Sequence, residues 1–228
     1  MDRLTDTRRP AAAVLGAPAS ALATNKVLKN TYLLLAATLG FSAVTAGAAM
    51  ALNLPHPGLV ITLVGYFGLL FAVHKTANSA LGILFVFALT GFMGYTLGPI
   101  ISAYIQFVPN GHDVVVNAFA ITAVTFVGLS AYAVKSGRSF SFMGGFLFVG
   151  ILAAFLLGLV AVFFDMPALS LAVSAMFVLL MSGLILYQTG EIVNGGETNY
   201  ILATVTLYVS VFNLFTSLLH LLGMAGDE

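Results

Sequence analysis

From Asn30 to Gly223 the sequence runs as long apolar stretches divided by short polar breaks. A helix of roughly 20 apolar residues crosses the hydrocarbon core of a bilayer, and many of these stretches reach that length. The apolar residues are continuous rather than alternating, which excludes a membrane β-barrel. Charge points the same way. Only 7% of the 228 residues are charged and 60% are hydrophobic, whereas soluble domains run at about 25% charged. Such a chain cannot clothe a water-facing surface. A soluble enzyme, a nucleic-acid binder with a basic face and a disordered tail are all excluded. The predicted class is an all-α membrane protein.

Seven spans are predicted: Asn30–Leu52, Gly58–Val73, Ala80–Ile105, Val114–Val134, Phe140–Phe164, Pro167–Tyr187 and Tyr200–Leu222. The separators carry turn residues, as in Asn53-Leu-Pro-His-Pro-Gly58, Pro109-Asn-Gly-His-Asp113, Lys135-Ser-Gly-Arg138 and Asp165-Met-Pro167. With alternating spans, Lys26, Lys29, Lys75, Lys135 and Arg138 fall on one side, and the opposite loops contain no Lys or Arg. The positive-inside rule then puts the amino terminus in the cytoplasm and the carboxyl terminus outside. Six spans with a re-entrant last segment is the alternative to this seven-transmembrane-helix bundle.

Three regions follow: a flexible cytoplasmic tail over 1–29, the transmembrane domain over 30–223, and a short external tail over 224–228. Pro10, Gly16 and Pro18 are read as helix breakers in the first. Its weakly apolar stretch Ala11–Ala23 argues against a secretory signal, with cleavage as the minor alternative. The absence of Cys rules out disulfides and thiolate metal sites. The 23 Gly suit helices that approach closely in a membrane.

Ionisable side chains within spans are rare and mark function when they occur. Here Asp113, Asp165, Lys135 and Arg138 fall in loops. His74 and Lys75 end the second span as headgroup anchors, and His220 reads as an interfacial histidine. The segment from Gln188 to Tyr200 is different, being polar and acidic on a side that is otherwise basic. Gln188 and Glu191, spaced i,i+3, share a face if the sixth helix continues, and Gly195-Gly196 would end it. Glu197 follows. In the last span Asn199, Thr206, Ser210, Asn213 and Ser217 recur every three, four or seven residues, making one polar stripe. That stripe must face protein or water. It reads equally as interhelical hydrogen bonding or as the lining of a pathway. In the third span Gly98 and Pro99 predict a kink, from packing or from a broken helix beside a cavity.

No catalytic constellation is apparent. An intramembrane aspartyl protease needs two Asp within spans. A rhomboid-like pair of Ser182 and His220 would have to join opposite halves of two helices. No metal-ligand cluster or phosphate loop is present, and no cofactor is expected. A small-solute transporter lacks support, because no inverted repeat is visible.

Three motifs together resemble one family: Asn25-Lys-Val-Leu-Lys-Asn-Thr-Tyr32, Gly94-Tyr-Thr-Leu-Gly-Pro-Ile100, and Gly195-Gly-Glu-Thr-Asn-Tyr-Ile201 leading to Leu207-Tyr-Val-Ser-Val-Phe-Asn-Leu-Phe215. They resemble the Bax inhibitor-1 (transmembrane Bax inhibitor motif) family, most closely its bacterial YccA-like branch. The resemblance implies a seven-helix bundle in the bacterial inner membrane. It also implies one of two roles. Calcium-leak members carry a pH-sensing Asp pair, and the matching positions here are the neutral Gln188 and Ser210. A calcium or proton leak without that pair is therefore one expectation, with calcium as a permeant ion. The YccA-like branch implies instead a modulator and slow substrate of the membrane protease FtsH. Such a protease grips an unstructured end, and residues 1–29 fully extended would reach roughly 100 Å.

Overall fold

The computed structural model describes residues 17–225. It contains seven long helices: α1 (Ala17–Ala51), α2 (Leu59–Thr76), α3 (Ala80–Phe107), α4 (Gly111–Ser136), α5 (Gly144–Phe163), α6 (Pro167–Val193) and α7 (Tyr200–Ala225). A 3-10 turn, Ser141–Met143, leads into α5. All seven helices are long and apolar enough to cross a bilayer. Their number and order follow the predicted spans. Turn residues sit where the separators placed them: Asn53, Asn110 and Asp165 adopt left-handed backbone, as do Gly58 and Gly137.

Both predicted tails need correction. Helix α1 begins at Ala17, so residues 17–29 are helical rather than part of a flexible tail. Pro18 falls in the first turn, where its missing N–H has no intrahelical role. At about 1.5 Å per residue the 35 residues of α1 run roughly 52 Å. That exceeds a hydrocarbon core of about 30 Å, so one end projects beyond it. Met224 and Ala225, assigned to the external tail, complete α7. Residues 1–16 and 226–228 lie outside the described residues.

Helix α7 is the hub. From Ile201 to Gly223 none of its residues is exposed. In its most apolar stretch 56% of residues are buried, against 6% in α2. It packs against α1, α3, α4 and α6 and more lightly against α2, while α5 rests on α6 at the rim. The hub explains why a polar stripe is tolerated in an apolar helix: α7 is packed against neighbouring helices along its length.

The most extensive helix pairing joins α1 and α3. On α1 the buried residues are Thr31, Leu35, Thr38, Ser42, Ala46 and Ala49, at spacings of three and four. Most are small, and they meet Gly94 and Gly98 of α3. A Cβ added at Gly98 would lie 2.7 Å from the Ala46 carbonyl oxygen. One added at Gly94 would strike the Ser42 carbonyl and the Thr45 hydroxyl. Close backbone approach through small residues supplies the dispersion contacts that hold helices together in lipid. Helix α3 continues through Gly98 and Pro99 to Phe107, so it is not broken there.

Candidate functional site

The polar segment between α6 and α7 organises one face of the bundle. Helix α6 continues to Val193, which places Gln188 and Glu191 in its last turns. Asn194 ends it, and Gly195 turns the chain with a φ of 76°. The amides of Gly196 and Glu197 then donate back to the Glu191 carbonyl at 2.8 and 3.1 Å. Glu197 Oε1 accepts the Asn199 amide at 2.7 Å. Asn199 precedes α7 and caps it: its Oδ1 accepts the amides of Ile201 at 2.9 Å and Leu202 at 3.2 Å. A carboxylate at this end also suits the helix dipole.

This segment is tied to both neighbouring loops. The Asn199 amide group donates to the Ala77 carbonyl (3.0 Å) and to Asn78 Oδ1 (2.9 Å), in the α2–α3 connection. Asn194 Nδ2 donates to the Arg138 carbonyl at 3.1 Å, and Ser141 donates to Glu191 Oε1 at 2.9 Å, in the α4–α5 connection. Glu191, Asn194 and Asn199 therefore knit three connections together, while Glu197 braces the entry to α7. A recess of about 520 Å³ opens beside Asn199, between Asn78, Ser79 and Thr198.

The predicted stripe on α7 separates into parts. Asn199 is a cap outside the helix, not a member of its face. Thr206, Ser210 and Asn213 donate to the carbonyls of Leu202 (3.1 Å), Thr206 (2.7 Å) and Val209 (2.8 Å) respectively, all within α7. Those bonds satisfy the donors without joining helices. Ser210 and Ser217 are buried, and Asn213 lines an apolar cleft of about 510 Å³ between α2 and α5, beside Tyr66, Phe67, Phe155 and Phe212. Gln188 is buried too, between Ile185 and Ile192 on the inner face of α6.

Interhelical hydrogen bonding comes from residues outside the stripe. The Tyr208 hydroxyl donates to the Thr90 carbonyl (3.3 Å) and accepts from Ser42 (2.7 Å), joining α7 to α3 and α1. Thr204 reaches the Thr31 carbonyl at 3.2 Å, and Tyr32 reaches Thr189 at 3.2 Å. Ser174 of α6 and His220 of α7 approach to 2.8 Å. The only sequence signal for Tyr208 was its place in Leu207-Tyr-Val.

Ser182 and His220 are not brought together: Ser182 donates to Val178 in its own helix at 2.7 Å. Ser174, the actual partner of His220, gives its proton to the Ser170 carbonyl at 3.0 Å. The Ser174 hydroxyl is thus shared between its own helix and His220 Nδ1 rather than held for the imidazole alone.

Seven bilayer-length apolar helices, the last of them buried among its neighbours, define a multi-pass α-helical membrane protein. Residues 24–227 match the family model described as inhibitor of apoptosis-promoting Bax1. The chain belongs to this Bax inhibitor-1 family. It is 52% identical over 210 residues to "Modulator of FtsH protease YccA" of Escherichia coli K12, covering 92% of this chain and 94% of that protein. "Inner membrane protein YccA" of E. coli O6:H1 aligns with the same identity and coverage. An uncharacterized protein of Pseudomonas aeruginosa is 50% identical over 202 residues, covering 89% of this chain and 90% of its own.

Proposed function

We propose that this chain is a non-enzymatic modulator, and a slow substrate, of an FtsH-type ATP-dependent protease in the bacterial inner membrane. The observation that carries this reading is its 52% identity, over nearly the whole of both chains, to a protein named for modulating FtsH. Five basic residues, Lys26, Lys29, Lys75, Lys135 and Arg138, on alternate connections support a cytoplasmic amino terminus and an external carboxyl terminus. The same face bears the knitted connections around Glu191 and Glu197. A rigid, hydrogen-bonded face suits a partner surface and slows extraction of the bundle. Residues 1–16, which precede α1, are the segment a protease would engage first.

Two measurements test the reading. The full-length protein should co-purify with the protease after crosslinking in cells, and its half-life should lengthen when the protease is depleted. Deleting residues 2–16 should lengthen the half-life to a similar extent while leaving co-purification in place. Absence of the protease from the crosslinked material overturns the modulator role. A half-life indifferent to both depletion and deletion overturns the substrate role.

A further inference from the structure

Among the described residues, three buried side-chain groups have no hydrogen-bond partner: Thr31 Oγ1, Ser130 Oγ and Gln188 Nε2. They belong to α1, α4 and α6, on stretches of those helices whose neighbouring residues pack together. Thr31 lies one turn before Leu35, Ser130 one turn after Phe126, and Gln188 one turn before Ile192. Leu35 and Ile192 belong to one apolar cluster around α7, and Phe126 packs against it. The adjoining residues meet directly: the Tyr32 hydroxyl is 3.2 Å from Thr189 Oγ1, and the Tyr32 and Phe126 ring centroids are 6.0 Å apart. Each orphaned group thus lies about one helical turn along its own helix, roughly 5.4 Å, from a residue packed in or against this cluster.

A buried polar group left unpaired costs more than an ordinary hydrogen bond returns, and most such groups in native proteins bind ordered water when protein offers nothing. We infer that α1, α4, α6 and α7 enclose an internal hydration site, in which bound water accepts from the Gln188 amide and bonds the Thr31 and Ser130 hydroxyls. The donor set selects the ligand. One amide and two hydroxyls, with no carboxylate among them, do not suit a metal cation. The nearest charged side chains on these helices do not compensate an anion: Lys29 and Lys135 are exposed, and Glu191 is engaged by Ser141 at 2.9 Å. Water both accepts and donates, as the amide and two hydroxyls require. This inference is independent of the proposed partner.

The test uses the full chain in lipid nanodiscs. Brief radiolysis generates hydroxyl radicals from bound water, so Leu35 and Ile192, which bulk solvent does not reach, should be oxidised. After mixing into oxygen-18 water, their label should appear later than that of His112, whose side chain is 78% exposed. Gln188→Met keeps the volume and removes the amide. With water in the site it should lower the melting temperature and cut Ile192 oxidation several-fold, and adding Ser130→Ala should lower the temperature by less than the two single effects combined. A dry junction predicts the opposite sign, because the substitution would remove an unpaired group. Wild-type protein without oxidation at Leu35 and Ile192 overturns the inference, and so does a raised melting temperature for Gln188→Met.

Discussion

The Tyr208 hydroxyl lies 2.7 Å from the Ser42 hydroxyl, deep between α7 and α1. Tyr208 is 1% exposed and also reaches the Thr90 carbonyl, so one phenol fixes three helices. Tyr208→Phe keeps the ring and orphans Ser42. It should destabilise the bundle by about 0.6–2 kcal/mol, the range for interhelical hydrogen bonds in membranes. Thermal unfolding in detergent measures this. Once Tyr208→Phe is present, Ser42→Ala should add little, since the two act as one interaction. Additive effects would show that the bond contributes nothing.

The α1–α3 contact makes two glycines of the same chain behave oppositely. At Gly94 a Cβ meets the Ser42 carbonyl and Thr45, whereas at Gly47 it meets nothing within 4 Å. Gly94→Ala should cost about 1–3 kcal/mol through overpacking. Gly47→Ala should be neutral or stabilising by up to about 1 kcal/mol, from helix propensity alone. Paired melting curves of the two variants check the contrast.

What the sequence discloses depends on range. Asn53, Asn110 and Asp165 marked turns because a left-handed residue after a helix is a local requirement. The spans were legible because lipid demands long uninterrupted apolar helices. Pro18 misled because a proline in the first turn of a helix looks, in sequence, like one that breaks it. Asn199 fell in register with Thr206, but periodicity cannot tell a cap from a helical residue when the helix begins at Tyr200. The Tyr208–Ser42 pair spans 166 positions, and nothing local in an apolar helix announces a partner at that distance.

Asn199 has two separable roles. Its Oδ1 caps α7, and its Nδ2 holds the α2–α3 connection. Asn199→Asp keeps the acceptor and loses the donor, so Ile201 and Leu202 amides should stay protected while exchange at Ala77–Ser79 quickens. Asn199→Ala should release both regions and cost about 1 kcal/mol or more. Hydrogen–deuterium exchange resolved by peptide distinguishes the two, and equal behaviour of the variants would refute the division.

The orientation can be read chemically, because the chain contains no Cys. Single cysteines at Ser139 and His56, both exposed, lie on connections of opposite parity. A membrane-impermeant maleimide applied to intact spheroplasts should label His56→Cys and spare Ser139→Cys until the membrane is opened. The reverse pattern would contradict the placement of the basic residues in the cytoplasm.

A cation crossing this bundle would need compensation for its lost hydration, which a membrane interior supplies through charged or densely polar side chains. Gln188 and Ser210 are neutral and buried, and the Ser210 hydroxyl is committed to the Thr206 carbonyl at 2.7 Å. Purified protein in liposomes should therefore pass calcium no faster than empty liposomes across about pH 6 to 8, because Gln188 and Ser210 supply no carboxylates to share a proton. Installing Gln188→Asp and Ser210→Asp together should create flux that changes with pH over that range. Calcium entry reported by a trapped dye measures both. A pH-dependent leak through the wild-type protein would overturn the prediction and return an ion pathway to contention.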